Sequence, residues 1–289
     1  MRRVDWFTAA ELTGPRLRLD ALTPADAEGF VASLGDADSA AAVTQHLSYA
    51  PPVSVADARG LIEQAVADPG RVAYAQRLRE TGEFVGTTSF YDIDPANRGI
   101  AIGHTWLARP YWRTGLNSES KLLMLRHAFD RLGAERVVWH TDIANTRSQA
   151  AIERLGAVKE GVLRHHRVRR DGSWRDTVTY AMLRQEWPAA KRRLLDAVPL
   201  ALSRIDVDNR YVARFGDEHV AEIDYLPQGS LLFVTHTGTS PEWRHCGVAA
   251  RITRHALDDM RSRGLGVRAG CSYTRSFLAG HPEYADLIG

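Results

Sequence analysis

Two short turns constrain this chain more than any other feature. Trp112 to Lys121 reads WRTGLNSESK, and Trp243 to Ile252 reads WRHCGVAARI. Each follows an apolar strand-like run and gives Trp-Arg, a short polar step, a glycine and then an amphipathic run. Backbone amides at a helix start point outward unpaired, and the helix dipole adds partial positive charge there. The result is an anion site suited to phosphate or pyrophosphate. Glycine lets the backbone approach such a ligand without a Cβ in the way, and Arg113 and Arg244 can add charge nearby. For either turn alone, a plain strand-to-helix connection is an equal reading.

With 289 residues, the usual domain size of roughly 100–200 residues gives two domains. The expected boundaries are 1–196 and 204–289, joined by a linker at 197–203 where the pattern lapses. A composition 44% hydrophobic and 25% charged is that of a soluble globular chain. The formal net charge of +2 argues against a strongly cationic nucleic-acid binder. No run approaches the roughly 18 apolar residues of a membrane span, and the basic start MRRVDWFTAAEL lacks the apolar core of a signal peptide. Two cysteines, Cys246 and Cys271, cannot build a disulfide framework, so a reducing, cytoplasmic setting is expected.

Along the chain, TPADAEGFVASLGD and VADARGLIEQAVAD read as helices, the first with Thr23 as N-cap before Pro24. Three strand-like runs follow at 71–79, 84–92 and 99–108. In the third, Ile100, Ile102, His104 and Trp106 fall on one face at period two. After Pro110 the period changes to about 3.6, with Leu122, Leu125, Phe129 and Leu132 as one stripe ending near Gly133. ERVVWHTD reads as a strand, Asn145 as the cap of a short helix, and 158–183 as a hairpin turning at Asp171-Gly172. The later segment repeats the theme: strands in YVARFG, HVAEIDYL and LLFVTHT, a helix with the stripe Val248, Ile252, Ala256 and Met260, then a strand and a short helix.

Residues 244–249, Arg-His-Cys-Gly-Val-Ala, resemble the (Arg or Gln)-x-x-Gly-x-(Gly or Ala) loop of the GCN5-related N-acetyltransferase (GNAT) superfamily at all three defining positions. Residues 112–117 share only the central glycine, with Trp112 and Asn117 departing. The first segment is similar instead to the ribosomal-protein alanine N-acetyltransferase group, through PYWRTGLNSESKLLMLRHAFDRLGAERV, NTRSQAAIERLGAVKEGVLR and DGSWRDTVTYAML. The later segment resembles a small single-domain branch, through HTGTSPEWRHCGVAARI, CSYT and HPEY. The resemblance implies an α/β (α+β) fold class: two GNAT-like domains, each a mixed, splayed sheet flanked by helices. It further implies acetyl-CoA as co-substrate, no metal, and an amine acceptor, either a protein N-terminus or a small molecule. The sequence leaves the oligomeric state open.

The implied cofactor contacts are Trp106 and Leu107 at the end of the third strand, Arg113, Thr114, Gly115, Leu116 and Asn117 in the first loop, and Asn145. In the second domain they are Thr237, Arg244, His245, Cys246, Gly247, Val248 and Ala249, with Cys246 expected to point away from the ligand. Direct acetyl transfer in a ternary complex needs a neutral amine, oxyanion donors and a proton for the leaving thiolate. An α-amine near pKa 8 costs only about 1.4 kcal/mol to deprotonate at pH 7, against about 4.6 for a lysine, so a modest base suffices. The resemblance points to Glu160 as base and Ser148 as acid, and Cys271 is the candidate nucleophile or proton carrier of the second domain. Each has a bland counterpart: a solvated strand-end carboxylate, a first-turn serine under the Asn145 cap, and a small buried thiol. His104 and His140 read as hydrogen-bonded sheet imidazoles. The arginine-rich hairpin 164–175 reads either as a solvated face or as a guide for an anionic acceptor. A non-catalytic acetyl-CoA sensor or scaffold is the alternative to an enzyme.

Overall fold

The period-two runs of the first segment pair into one mixed sheet of eight strands. The computed structural model describes residues 5–289 and separates into two compact units, Met1–Val198 and Pro199–Gly289. In the first unit the elements run β1 (Leu12–Thr13), β2 (Leu17–Ala21), α1 (Ala27–Leu34), α2 (Ala37–Thr44), α3 (Val55–Ala67), β3 (Arg71–Leu78), β4 (Phe84–Asp94), β5 (Gly99–Leu107), α4 (Leu116–Arg126), β6 (Arg136–Asp142), α5 (Thr146–Leu155), β7 (Val158–Val168), β8 (Trp174–Leu183) and α6 (Trp187–Asp196). Spatial order is β1-β2-β3-β4-β5-β6-β8-β7. Only β5 and β6 are parallel neighbours, as a helical crossover between them requires.

One face of this sheet carries Phe84 and Trp106 against Phe30, Leu34, Val43, Ala58 and Ile62 of α1 to α3. Phe30 meets Trp106 edge-on at 4.9 Å. On the other face lies α4, whose stripe Leu122, Leu125, Phe129 and Leu132 is buried throughout. The last turn, His127–Leu132, widens to a π-helix and ends on Gly133 at φ 77°. α4 is not simply amphipathic: Glu119, Ser120 and Lys121 are buried too. Glu119 is held by Arg16 and Leu17 at β2 and Lys121 by Thr88 and Thr105 of the sheet, while α6 stacks Trp187 on Phe129.

The sequence pattern is overturned in two places here. α2 falls in DADSAAAVT, where small residues leave no apolar stripe to read. In β5, Ile102 stands opposite Phe90 but Trp106 stands opposite Thr87, so an extra residue intervenes. That bulge is at His104, at φ 49°. It turns Trp106 onto the opposite face from Ile102 and aims Thr105 at α4.

The second unit has β9 (Ala201–Ile205), β10 (Arg210–Phe215), β11 (Glu218–Gln228), β12 (Leu231–Thr239), α7 (Val248–Ser262), β13 (Gly266–Ala269) and α8 (Ser272–Ala279). Its sheet runs β13-β12-β11-β10-β9, with β12 and β13 parallel. Val248, Ile252, Ala256 and Met260 of α7 are all buried. The stretch 197–203 is no free linker. Ala197 caps α6 and Ala201 begins β9, an edge strand whose half-exposed residues give little hydrophobic alternation.

Candidate active site

The parallel pairing of β5 with β6 runs only from Gly99 opposite Arg136 to Ala101 opposite Val138. Beyond that register the two strands part. A cleft of about 80 Å³ opens there, lined by Thr105, Trp106 and Leu107 from β5, Val43, His46 and Leu47 around the end of α2, and Trp112, Asn145 and Arg147. Asn145 lines the cleft and also caps α5, accepting from the Ser148 amide at 3.0 Å, so the cap does not take it out of the cleft. Ser148 is half-buried in that first turn and is not among the lining residues.

From β5 the chain passes through a 3-10 turn, Arg109–Tyr111, into the loop that starts α4. Arg113 has φ 62° and Gly115 φ 86°, and no side chain caps the helix at Gly115. In the second unit β12 leads through Pro241–Trp243 into α7, with His245 at φ 62° and Gly247 at φ 85° and again no side-chain cap. The two loops therefore share one backbone path, each leaving first-turn amides open to an anion. Their equivalence matches Gly115 with Gly247 and Arg113 with His245. Trp112 then corresponds to Arg244, so the two Trp-Arg pairs that look repeated in sequence are offset by one residue.

Where the second loop has an arginine, the first has Trp112. The Trp112 indole donates to the Leu107 carbonyl at 2.8 Å, and the Arg147 guanidinium lies 4.0 Å over its ring. Positive charge reaches this cleft from α5 rather than from the loop position itself, which sequence spacing does not reveal. Thr114 is committed to the turn, its hydroxyl donating to the Tyr111 carbonyl at 2.8 Å. Beneath the loop, Arg16 donates to the Thr114 carbonyl and to the buried Glu119 carboxylate. That carboxylate also accepts from the Arg16 and Leu17 amides, tying the start of α4 to the start of β2. Leu116 is buried, and Asn117 sits in the open first turn.

Glu160, expected as a base, is not among the residues lining this cleft. It lies on β7, separated from β6 by β8, and both its oxygens are held by the Arg136 guanidinium. By register Glu160 lies level with Trp139 and His140 of β6, on the far side of β8, with its carboxylate held by Arg136 at the start of β6. The same bond holds the Glu160 carboxyl below its ordinary pKa, the wrong direction for a base near neutrality. His46, which no motif marks, does line the cleft. Burial lowers its pKa, with Arg147, Arg169 and Arg175 nearby adding to the effect against Asp142, so its ring is neutral at pH 7.

The arginine-rich hairpin is not simply a solvated face. Arg169 grips the buried Asp142 at 2.7 and 2.9 Å and holds that carboxyl below its ordinary pKa. Arg170 donates to the Thr44 carbonyl at the end of α2 and to the Tyr49 carbonyl beyond it. The hairpin tip is thus tied to both walls of the cleft. His140 accepts from or donates to the Tyr91 hydroxyl at 3.0 Å, in keeping with a hydrogen-bonded sheet imidazole, whereas His104 is the exposed residue of the bulge.

In the second unit β12 and β13 pair only to Val234 opposite Ala269, and β12 runs on to Thr239 paired with β11 alone. The Thr237 hydroxyl meets that of Thr274 at 3.1 Å. Cys246 is buried and turned inward, its thiol on the Trp243 carbonyl at 2.8 Å. Cys271 sits at the N-terminus of α8. Burial pushes its thiol up, but the Thr274 and Tyr273 amides and Thr237 outweigh that and bring its pKa below the ordinary value.

Comparison with known proteins places both units in a family. Residues 16–158 match the family described as an acetyltransferase (GNAT) domain, and 210–287 match a second, GCN5-related N-acetyl-transferase. The chain is 30% identical over 149 residues to "Uncharacterized N-acetyltransferase p20" of Bacillus licheniformis, covering 50% of this chain and 82% of that protein. The chain belongs to the GNAT acetyltransferase family. Over 110 residues it is also 30% identical to "Putative ribosomal N-acetyltransferase YdaF" of Bacillus subtilis (strain 168), covering 38% of this chain and 59% of that one. The crystal structure of a GCN5-related N-acetyltransferase from Brucella melitensis superposes with a TM-score of 0.63 at 27% identity, covering 66% of this chain and 87% of that one. This GNAT chain is therefore an acetyltransferase carrying two family domains in tandem. Among the described residues, no group of three or more His, Cys, Asp or Glu could hold a metal ion, and no helix is long and apolar enough to cross a membrane.

Proposed function

We propose that the first unit transfers acetyl from acetyl-CoA directly to an amine in a ternary complex. The carrying observation is the cleft where β5 and β6 part, set beside the uncapped start of α4 at Gly115. In this reading the pyrophosphate rests on the amides from Gly115 to Asn117, near Arg113 and Thr114. The pantetheine arm runs past Asn145, and the thioester carbonyl meets backbone donors near Trp106 and Leu107. The amine attacks the carbonyl carbon and the carbon–sulfur bond breaks. His46 accepts the amine proton and Ser148 is the candidate donor to the thiolate. The acceptor is proposed to be a protein N-terminal amine, in keeping with the likeness to a putative ribosomal N-acetyltransferase, with small amines as the second class.

The second unit is proposed to hold another acetyl-CoA on Arg244, His245, Gly247, Val248 and Ala249, with Thr237 and Cys271 at its thioester end. Release of free thiol from acetyl-CoA, followed over a panel of N-terminal peptides and small amines, tests the proposal. Binding of acetyl-CoA with no amine-dependent thiol release from any member would favour a cofactor-sensing scaffold instead.

A further inference from the structure

Lys121 lies on α4, is 5% exposed, and faces the back of β5. Its ammonium donates to the Thr105 hydroxyl at 2.7 Å and to the Thr88 hydroxyl at 3.2 Å. Among the described residues it has no carboxylate partner. Burying an uncompensated ammonium is expensive, and an amine needed only for packing would be better replaced by a methionine or leucine. Thr105, its nearer partner, also lines the cleft. The bulge at His104 is what brings Thr105 to this face.

The donors and acceptors here form a directional set. A charged lysine can only donate, so it occupies a lone pair on each hydroxyl. The two hydroxyls are 2.8 Å apart and share one proton between them. Thr88 can donate to Thr105 or to the Met124 sulfur at 3.1 Å. Thr105 retains its own proton, which besides Thr88 can reach the Gly103 carbonyl at 3.2 Å. A neutral lysine can accept, and the chain of bonds then reverses toward it.

We infer that Lys121 is a positioning residue for acetyl transfer, its ammonium polarising the Thr105 hydroxyl so that its proton is offered to the charge developing on the thioester in the cleft. No proton leaves Thr105: the contribution is a charge-assisted hydrogen bond, stronger in the transition state than in the ground state. The inference rests on the proposed acetyl-CoA site of the first unit. It adds a residue that neither the loop pattern nor the cleft lining includes. Burial alone lowers the Lys121 pKa to about 7, with no other charged group contributing, so its charge is adjustable near neutrality. The groups packed on it are Thr88 from β4, Thr105 from β5 and Met124 of its own helix, none of which titrates in this range.

The test is the pH dependence of kcat for the full chain and for Lys121→Met, Lys121→Arg and Thr105→Val, with acetyl-CoA and the best amine of the panel. For the unsubstituted chain kcat is expected to fall as pH rises through about 7, as the ammonium is lost. Lys121→Met should lower kcat about 10- to 100-fold, leave the KM for acetyl-CoA within about twofold, and abolish that limb. Lys121→Arg should recover part of kcat and move the limb to higher pH. Thr105→Val should reproduce the methionine variant, and the double variant should be no worse than either single one. If Lys121→Met does not fold, Thr105→Val carries the comparison, with Thr105→Ser expected to restore the rate. Unchanged kcat and an unchanged limb in Lys121→Met or Thr105→Val overturn the inference while leaving acetyl transfer standing. Absence of amine-dependent thiol release from the unsubstituted chain overturns the transfer reading and this inference with it.

Discussion

Replacing Lys121 by methionine is expected to stabilise the first unit, and to do so by an amount that depends on pH. Below about pH 7 the folded and unfolded chains both hold the lysine proton, and the folded state bears the full cost of burying the ammonium. Between about 7 and the ordinary lysine value of 10.5, the unfolded chain binds one more proton than the folded chain. Stability therefore rises with pH across that window, by about tenfold in the folding equilibrium per pH unit. The whole span corresponds to a ceiling of about 5 kcal/mol. Some of this is offset, because methionine leaves two hydroxyls without a cationic donor, although Thr88 and Thr105 bond to each other. A gain of about 2–4 kcal/mol at pH 6.5, shrinking toward zero by pH 10, is the expected outcome. Urea unfolding of both chains at several pH values, followed by tryptophan fluorescence, measures it. Of the seven tryptophans only Trp243 lies beyond Val198, so the signal reports chiefly on the first unit. A difference between the chains that is constant with pH, or a Lys121→Met chain less stable at every pH, would refute the reasoning. A lysine retained against stability fits the frequent trade between stability and activity at working sites.

Further outcomes are expected elsewhere. Gly115→Ala forces a Cβ into a left-handed conformation at φ 86° and to 3.2 Å from an Arg16 nitrogen. It should cost about 1–2 kcal/mol of stability and weaken acetyl-CoA binding about tenfold or more by calorimetry. Arg169→Ala leaves the buried Asp142 without its bidentate partner and should destabilise the first unit measurably in denaturant melts. The Asp142 carboxyl is held below its ordinary pKa, so this difference is present above about pH 4 and fades as pH falls through the folded-state pKa. Glu160→Gln should leave kcat within about twofold, whereas His46→Ala should lower kcat about 10²-fold and remove the acidic limb of the pH profile.

The sequence shows the helices and strands well where their periods are clean. The stripes of α4 and α7 are buried residue for residue as their 3.6 spacing predicts, because one face meets a sheet. Both loops are legible from glycine placed after a strand and before a helix. What the sequence hides are features set by register and by pairing across elements. The bulge in β5 is made by His104 rather than by a glycine, so nothing marks it, and it reverses the face of Trp106. Glu160 reads as a base only until the strand order brings Arg136 within reach across β8. Trp112 and Arg147 come from different elements and meet only in the fold. Lys121 follows Glu119 and Ser120 in what reads as the polar side of a helix, and only the fold shows that Glu119 meets β2 and Lys121 the hydroxyls of β4 and β5.

Two loops of one backbone path are each proposed to hold acetyl-CoA. Calorimetric titration of acetyl-CoA into the intact chain, and into Gly115→Val and Gly247→Val chains verified as folded, tests it most directly. Two equivalents bound by the unsubstituted chain, with one lost in each variant, is the predicted result. A folded chain that binds no acetyl-CoA, or binding that survives undiminished in both variants, would contradict it.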